Sequence, residues 1–240
     1  MSDLDEFLAN ISTGATHIIT SPKTIEELQK KGVKFDARKP RTADQIIEDL
    51  FQERKENAIS KVSKFPSAPD IAIPTIGFLY DEIRECTLFG LNGAAISLSA
   101  ILVEFALKHA IIKKLRRNTY DKSEWDRLEN KELGPTIDES YELKLIDDET
   151  KEALISFKNN IRNPYLHYNI KRITRDVVAK KVKKIDTRTR KAEEVDIPAE
   201  DNPIVWGFAK RFADRERVLE VFIFADRIVK DFFEEKKSKL

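Results

Sequence analysis

Glycine is scarce in this chain, 7 of 240 residues, and proline is little commoner at 9. A chain so poor in glycine, with apolar residues recurring three and four positions apart, is expected to be mostly helical. A single cysteine, Cys86, excludes an internal disulfide and leaves no cysteine cluster for a metal, so no cofactor is expected. Cys86 is read as a reduced core or boundary residue. Charge of one sign is also missing: 43 basic residues face 42 acidic ones. The opening MSDLDEFLAN is acidic where a secretory signal would be basic, and a cytoplasmic location is expected. Long apolar runs are lacking too. LFGLNGAAISLSAILVEFAL, 88–107, is the one candidate, but Asn92 and Glu104 interrupt it and its uncharged part falls short of the ~20 residues a span needs. It reads as the buried central helix of a bundle, with no membrane partner.

What is present is helical periodicity between marked ends. Residues 1–41 are polar and form an N-terminal extension, with one short helix signal at Thr24–Glu27 running to Gly32. Thr42-Ala-Asp-Gln45 is a second capping box and opens a helix with Ile46, Ile47, Leu50 and Phe51 on one face, ending before Pro66. Segments 75–88 and 91–115 follow, the latter with small residues that permit close packing. Residues 121–151 hold eleven acidic and five basic residues, with turn residues at Gly134-Pro135. A helix is expected from about Asp147, with Ala153, Leu154, Phe157 and Ile161 as its apolar stripe.

Residues 168–191 reverse the sign, with ten basic residues against Asp176 and Asp186. VKKIDTRTRKAEEVDI fits a charged hairpin. A last helix after Pro203 carries Val218, Val221, Phe222, Ala225, Ile228, Val229 and Phe232 on one stripe, a core face that would serve equally as a dimer surface. The expected architecture is all-α: an antiparallel four- to five-helix bundle over 42–240, with a small charged hairpin before the last helix.

The chemistry concentrates in KNNIRNPYLHYN, 159–170. Arg162 is permanently charged and presents a fork suited to phosphate. His167 can give or take a proton near neutral pH, and Asn163 can both donate and accept. Together they suit a phosphodiester site without a metal. On a regular helix, however, positions five apart point roughly 140° away from each other. Pro164 would disfavour the helical conformation at Asn163 and so re-aim the two side chains. Two readings stand at this point. In one, Arg162 pairs with a carboxylate of the acidic region and His167 is an ordinary boundary histidine. In the other, both face a groove, completed by a second copy of the chain. Glu104 and Lys108, four apart on an apolar helix, are an ion pair at its edge, with Glu104 also a candidate to orient Arg162. His109 and His17 take no catalytic role. Trp125, Trp206, Phe222 and Phe232 are packing residues.

Arg162-Asn163-Pro164-Tyr165-Leu166-His167, with the apolar helix 88–114 upstream and DETKEALISFKNNIRNPYLHYN after a long gap, resembles the HEPN superfamily of helical bundles. The resemblance spans roughly 72–233 and leaves residues 1–41 outside it. It implies metal-independent RNA cleavage at a cleft shared by two chains, with Arg162 stabilising the phosphate's charge. His167 would be general acid or base for 2′-hydroxyl attack, and Asn163 would orient the histidine or the substrate. A homodimer is implied, as is a role in toxin–antitoxin or phage-defence systems with a cognate antitoxin or defence partner. Some members of the superfamily bind RNA, a nucleotide or a protein without catalysis. Many relatives have a small residue after the histidine, where this chain has Tyr168, whose ring would narrow the cleft or stack on a base. Tyr168, with Lys171, Arg172 and Arg175 of the basic run, is the expected RNA-binding set.

Overall fold

The structure, a computed structural model, describes residues 42–116, 122–185 and 192–234. The helix signal at Thr24–Gly32, His17 and the basic residues Arg188, Arg190 and Lys191 lie outside the described residues. The described chain is mostly helical with one two-stranded sheet. It divides into two units between Glu53 and Arg54.

Helix α1 (Ala43–Val62) begins where its capping box places it. The Thr42 backbone N–H donates to Gln45 Oε1 at 3.0 Å, and the Gln45 N–H donates to Thr42 Oγ1 at 3.2 Å. Its apolar face does not enter a core. Ile46, Ile47, Leu50 and Phe51 remain exposed, and no residue of the helix is buried. From Asn57 onward α1 is held by polar contacts instead. Asn57 donates to the Leu88 carbonyl, and Lys61 Nζ donates to the Thr87 carbonyl at 3.0 Å and Asn92 Oδ1 at 3.1 Å.

The core lies on three helices: α2 (Pro74–Leu88), α3 (Asn92–Arg116) and, last in the chain, α9 (Trp206–Phe233). Ile76, Tyr80 and Ile83 of α2 meet Ile96, Leu102, Val103 and Leu107 of α3 and Val218, Phe222, Ile228 and Val229 of α9. Ala95, Ala100, Ala106 and Ala225 are fully buried among them, and their short side chains let the helix backbones approach closely. Helix α3 is long and apolar enough to cross a membrane by length and composition, but 67% of that window is buried inside the fold. Phe222 packs tilted against Phe65 and Tyr80. The stripe expected on the last helix is therefore a core face.

Two elements depart from expectation. The acidic region, where the sequence marks turn residues and no helix before about Asp147, contains helices α4 (Lys122–Glu129) and α5 (Leu133–Glu142). Pro135 falls in the first turn of α5, where a missing N–H is no loss. Arg127 and Lys131 of the α4 side converge on Glu139 of α5 and hold its carboxyl down to about 2, chiefly through the Arg127 hydrogen bonds. Helix α6 (Asp148–Phe157) starts as expected, its Asp147 cap accepting from the Thr150 N–H at 2.9 Å. The charged hairpin forms as β1 (Val178–Ile185) and β2 (Ala192–Pro198), antiparallel, with Lys183 opposite Glu194 and Lys184 opposite Glu193. Its register shifts between Ala179 and Val182, where Lys181 adopts φ +54 and donates its N–H to Asp196 Oδ1.

His109 of α3 sits edge-on to Phe105 and Trp125, each ring centroid 4.5 Å away. Burial pushes its pKa down from the usual 6.5 to about 4. The unfolded chain therefore takes up this proton first as the medium is acidified. Stability contributed by neutral His109 is full above pH 6.5 and is lost as pH falls through 6.5 toward 4, with no further loss below. Urea midpoints measured at pH 7, 5.5 and 4.5 should fall, and His109→Phe should flatten that decline. An equally steep decline in the variant would assign it to other groups.

Candidate functional site

Helix α6 does not end at Phe157 but widens into a π turn, Lys158–Arg162, before a short helix α7 (Asn163–Leu166). Pro164 accounts for the widening. In an α register its ring would collide with the carbonyl four residues back, and its missing N–H would leave that carbonyl unpaired. In the π register the Asn163 N–H reaches back five residues to the Lys158 carbonyl. Pro164 then occupies the first turn of α7. Asn163 itself stays helical, φ −65 and ψ −46, contrary to the extended conformation expected before a proline. The strain is taken up one turn earlier.

The wider turn delivers Arg162 against α3. Arg162 Nη2 and Nε donate to Glu104 Oε2 at 3.0 and 3.3 Å, and Nη1 donates to Asn163 Oδ1 at 3.1 Å. Glu104 Oε1 accepts from Lys108 Nζ at 3.0 Å, and the same ammonium donates to the Glu129 carbonyl. The three side chains are largely enclosed, at 17% exposure for Glu104, 9% for Lys108 and 19% for Arg162. Two cations thus share one carboxylate, and the group carries a net positive charge. Among the described residues three of the five guanidinium N–H donors are engaged, which leaves two. Arg162 thus pairs with a carboxylate, on α3 rather than in the acidic region. Through the Nη1 bond Asn163 lies against the arginine.

His167 stands apart from this group. It is exposed at the end of α7, and among the described residues its imidazole has no hydrogen-bond partner. The chain reverses there. The Tyr168 N–H donates to the Tyr165 carbonyl and the Asn169 N–H to the Pro164 carbonyl, the paired bonds of a Schellman stop. Tyr168 takes the left-handed position of that stop, φ +48, with its ring 66% exposed. Asn169 caps α8 (Ile170–Thr174) by accepting from the Arg172 N–H. Lys171 and Arg172 are exposed on α8. Arg175 is exposed but donates to Asn160 Oδ1 at 3.2 Å and lies 3.5 Å from Asp176.

Tyr165, Asp214 and Lys210 were not singled out in the sequence as site residues. Tyr165 is buried, and its hydroxyl donates to Asp214 Oδ1 of α9 at 2.9 Å. Burial and the Asp214 carboxylate push the phenol's pKa upward. Lys210 donates to the other oxygen of Asp214, and its ammonium lies 5.4 Å from the Tyr165 ring centroid and 5.6 Å from that of Tyr168. Gly93 of α3 closes this corner: a Cβ there would sit 2.9 Å from Asp214 Oδ2 and 3.0 Å from Lys210 Nζ. The only sequence signal for this assembly was Lys210 and Asp214 four apart. Among the described residues no cluster of His, Cys, Asp and Glu could hold a metal ion.

Comparison with family models, with curated proteins and with solved structures gives no match for this chain.

Removing Glu104 would leave Arg162 and Lys108 as adjacent, largely enclosed cations. Glu104→Ala should cost roughly 2–4 kcal/mol in urea unfolding. A double-mutant cycle with Arg162→Ala should give a coupling above about 1 kcal/mol. Coupling near zero would mean that the observed contact does not hold Arg162.

Proposed function

We propose that the chain is a metal-independent endoribonuclease of HEPN type, acting on RNA at a site completed by a second copy. The observation that supports it most is the Glu104–Arg162–Lys108 group, a net cation whose guanidinium keeps two N–H donors beside Asn163. Such a group suits the dispersed charge of a phosphodiester better than a single carboxylate, which Arg162 already has. The exposed imidazole of His167, five residues on, is accessible to a 2′-hydroxyl or a leaving 5′-oxygen. In this mechanism His167 takes the 2′-hydroxyl proton, the oxygen attacks the adjacent phosphorus, and the P–O5′ bond breaks as the 5′-oxygen takes a proton from solvent, giving a 2′,3′-cyclic phosphate. Arg162 stabilises the charge that builds on the non-bridging oxygens. Lys171 and Arg172, exposed on the next helix, supply backbone contacts.

The second reading is a module that binds RNA, a nucleotide or a protein without cutting. One observation favours it: within a single chain Arg162 turns toward α3 while His167 faces solvent, with no hydrogen bond between them. Catalysis then requires the second copy to bring the two groups onto one phosphate. Binding does not.

Purified wild-type protein, Arg162→Ala and His167→Ala, incubated with a broad RNA panel in EDTA, separate these readings. Cleavage to cyclic-phosphate ends, reduced at least ~100-fold in both variants, is expected. RNA binding without cleavage by a folded, dimeric wild type would favour the module. Equal cutting by all three proteins would sink the site assignment.

A further inference from the structure

Three non-glycine residues in the described chain have positive φ: Lys144, Tyr168 and Lys181. Lys144 and Tyr168 occupy the same structural position, the left-handed residue of a Schellman stop. Gly90 fills the corresponding position after α2, at φ +76. An L-residue there carries a steric penalty that glycine avoids. For Lys144 the substituent is a flexible, solvated chain. For Tyr168 it is a large apolar ring, 66% exposed, that gains little from burial. An exposed aromatic held in a disfavoured backbone conformation, directly after a candidate catalytic histidine, needs a reason other than stability.

Its surroundings supply one. Tyr165 is anchored through its hydroxyl to Asp214, so the backbone that presents Tyr168 is fixed three residues away. Lys210, held by Asp214, lies within cation–π distance of both rings. The ring is therefore presented from a rigid support with a cation at hand, and Lys171 and Arg172 stand exposed on the helix that follows.

We propose that Tyr168 is a stacking platform for an unpaired nucleobase next to the phosphate addressed by Arg162 and His167, so that the substrate class is single-stranded RNA. The inference rests on the RNA reading above. Stacking on an aromatic ring tolerates any base, because every base has a π-face, but it requires that base to be free of its own helix. Duplex RNA should therefore be a poor ligand.

The test is equilibrium binding by the full chain of a labelled oligoribonucleotide of about ten nucleotides, with 2′-O-methyl sugars that remove the nucleophile. Tyr168→Gly is the informative variant, since it relieves the backbone strain while deleting the ring. It should raise the thermal midpoint, as Lys144→Gly should, yet weaken binding roughly 5- to 150-fold. Tyr168→Phe and Tyr168→Trp should retain binding, and a duplex of the same sequence should compete poorly. Unchanged affinity in Tyr168→Gly, with wild type binding, would overturn the platform while leaving RNA binding intact. Failure of wild type to bind the single strand would overturn the RNA reading and the platform with it. A change in sedimentation of Tyr168→Gly without a change in affinity would assign the ring to a protein interface, also against the proposal.

Discussion

The Glu104 carboxylate is the constraint on which the arrangement around the motif depends. It lies on a 25-residue helix whose other side is alanine, isoleucine, leucine and valine packed into the core. An enclosed charge in that setting costs several kcal/mol unless it is paired and hydrogen-bonded. Glu104 meets this requirement with three donors from two cations, one from its own helix and one from 58 positions downstream. Arg162 in turn cannot leave without exposing the carboxylate, so the π turn that delivers it is held in place by electrostatics as well as by Pro164. Exposed pairs such as Arg215–Glu216 contribute little and constrain nothing. The difference lies in enclosure, not in the number of contacts.

The last helix repeats this logic with two buried aspartates. Asp226 accepts from the Tyr80 hydroxyl and from Lys230, one turn later; Asp214 accepts from the Tyr165 hydroxyl and from Lys210, one turn earlier. The two differ in order along the helix. An acidic residue N-terminal to its lysine is the better arrangement, so Asp226–Lys230 is favourable by itself and Lys210–Asp214 is less so. Lys210 gains from the rings of Tyr165 and Tyr168 what the sequence order denies it. One pair therefore fastens α2 to α9, and the other fastens the motif segment to α9, both through buried aspartates. The absent Cβ of Gly93 leaves room for the second pair against α3.

Much of this was legible in the residues. Thr42–Gln45 and Asp147 mark helix starts by local chemistry, and local chemistry survives folding. The apolar stripes on α2, α3 and α9 pack into the core. Helices α4 and α5 were not legible, because an acidic, proline-bearing segment looks like a connection until Arg127 and Lys131 are seen to neutralise Glu139. The π turn was hidden because it answers a clash between one ring and one carbonyl, which leaves no periodic trace. Tyr165 and Tyr168 have identical side chains and opposite fates, 5% and 66% exposed, since the chain reverses between them. The apolar face of α1 shows the opposite: periodicity promises burial, and Ile46, Ile47, Leu50 and Phe51 are exposed.

The motif's geometry ranks what a single chain can do. Residues five apart along a helix are separated by about 7.5 Å of axial rise, and here one side chain turns to the core while the other turns to solvent. An acid or base must come within about 3 Å of the proton that it moves. Charge attraction has no such requirement: the net charge of the Glu104 group and the cations of α8 act over a longer range and tolerate imprecise placement. Binding of a phosphate backbone therefore needs only one copy and its existing hydrogen bonds. Bringing His167 and Arg162 onto one phosphate would take either a second copy of the chain or movement of the α7 end. The Asp214–Tyr165 anchor opposes that movement, since it holds the segment midway between the two residues. Under the proposed reading, a second copy would supply the missing group without breaking that anchor.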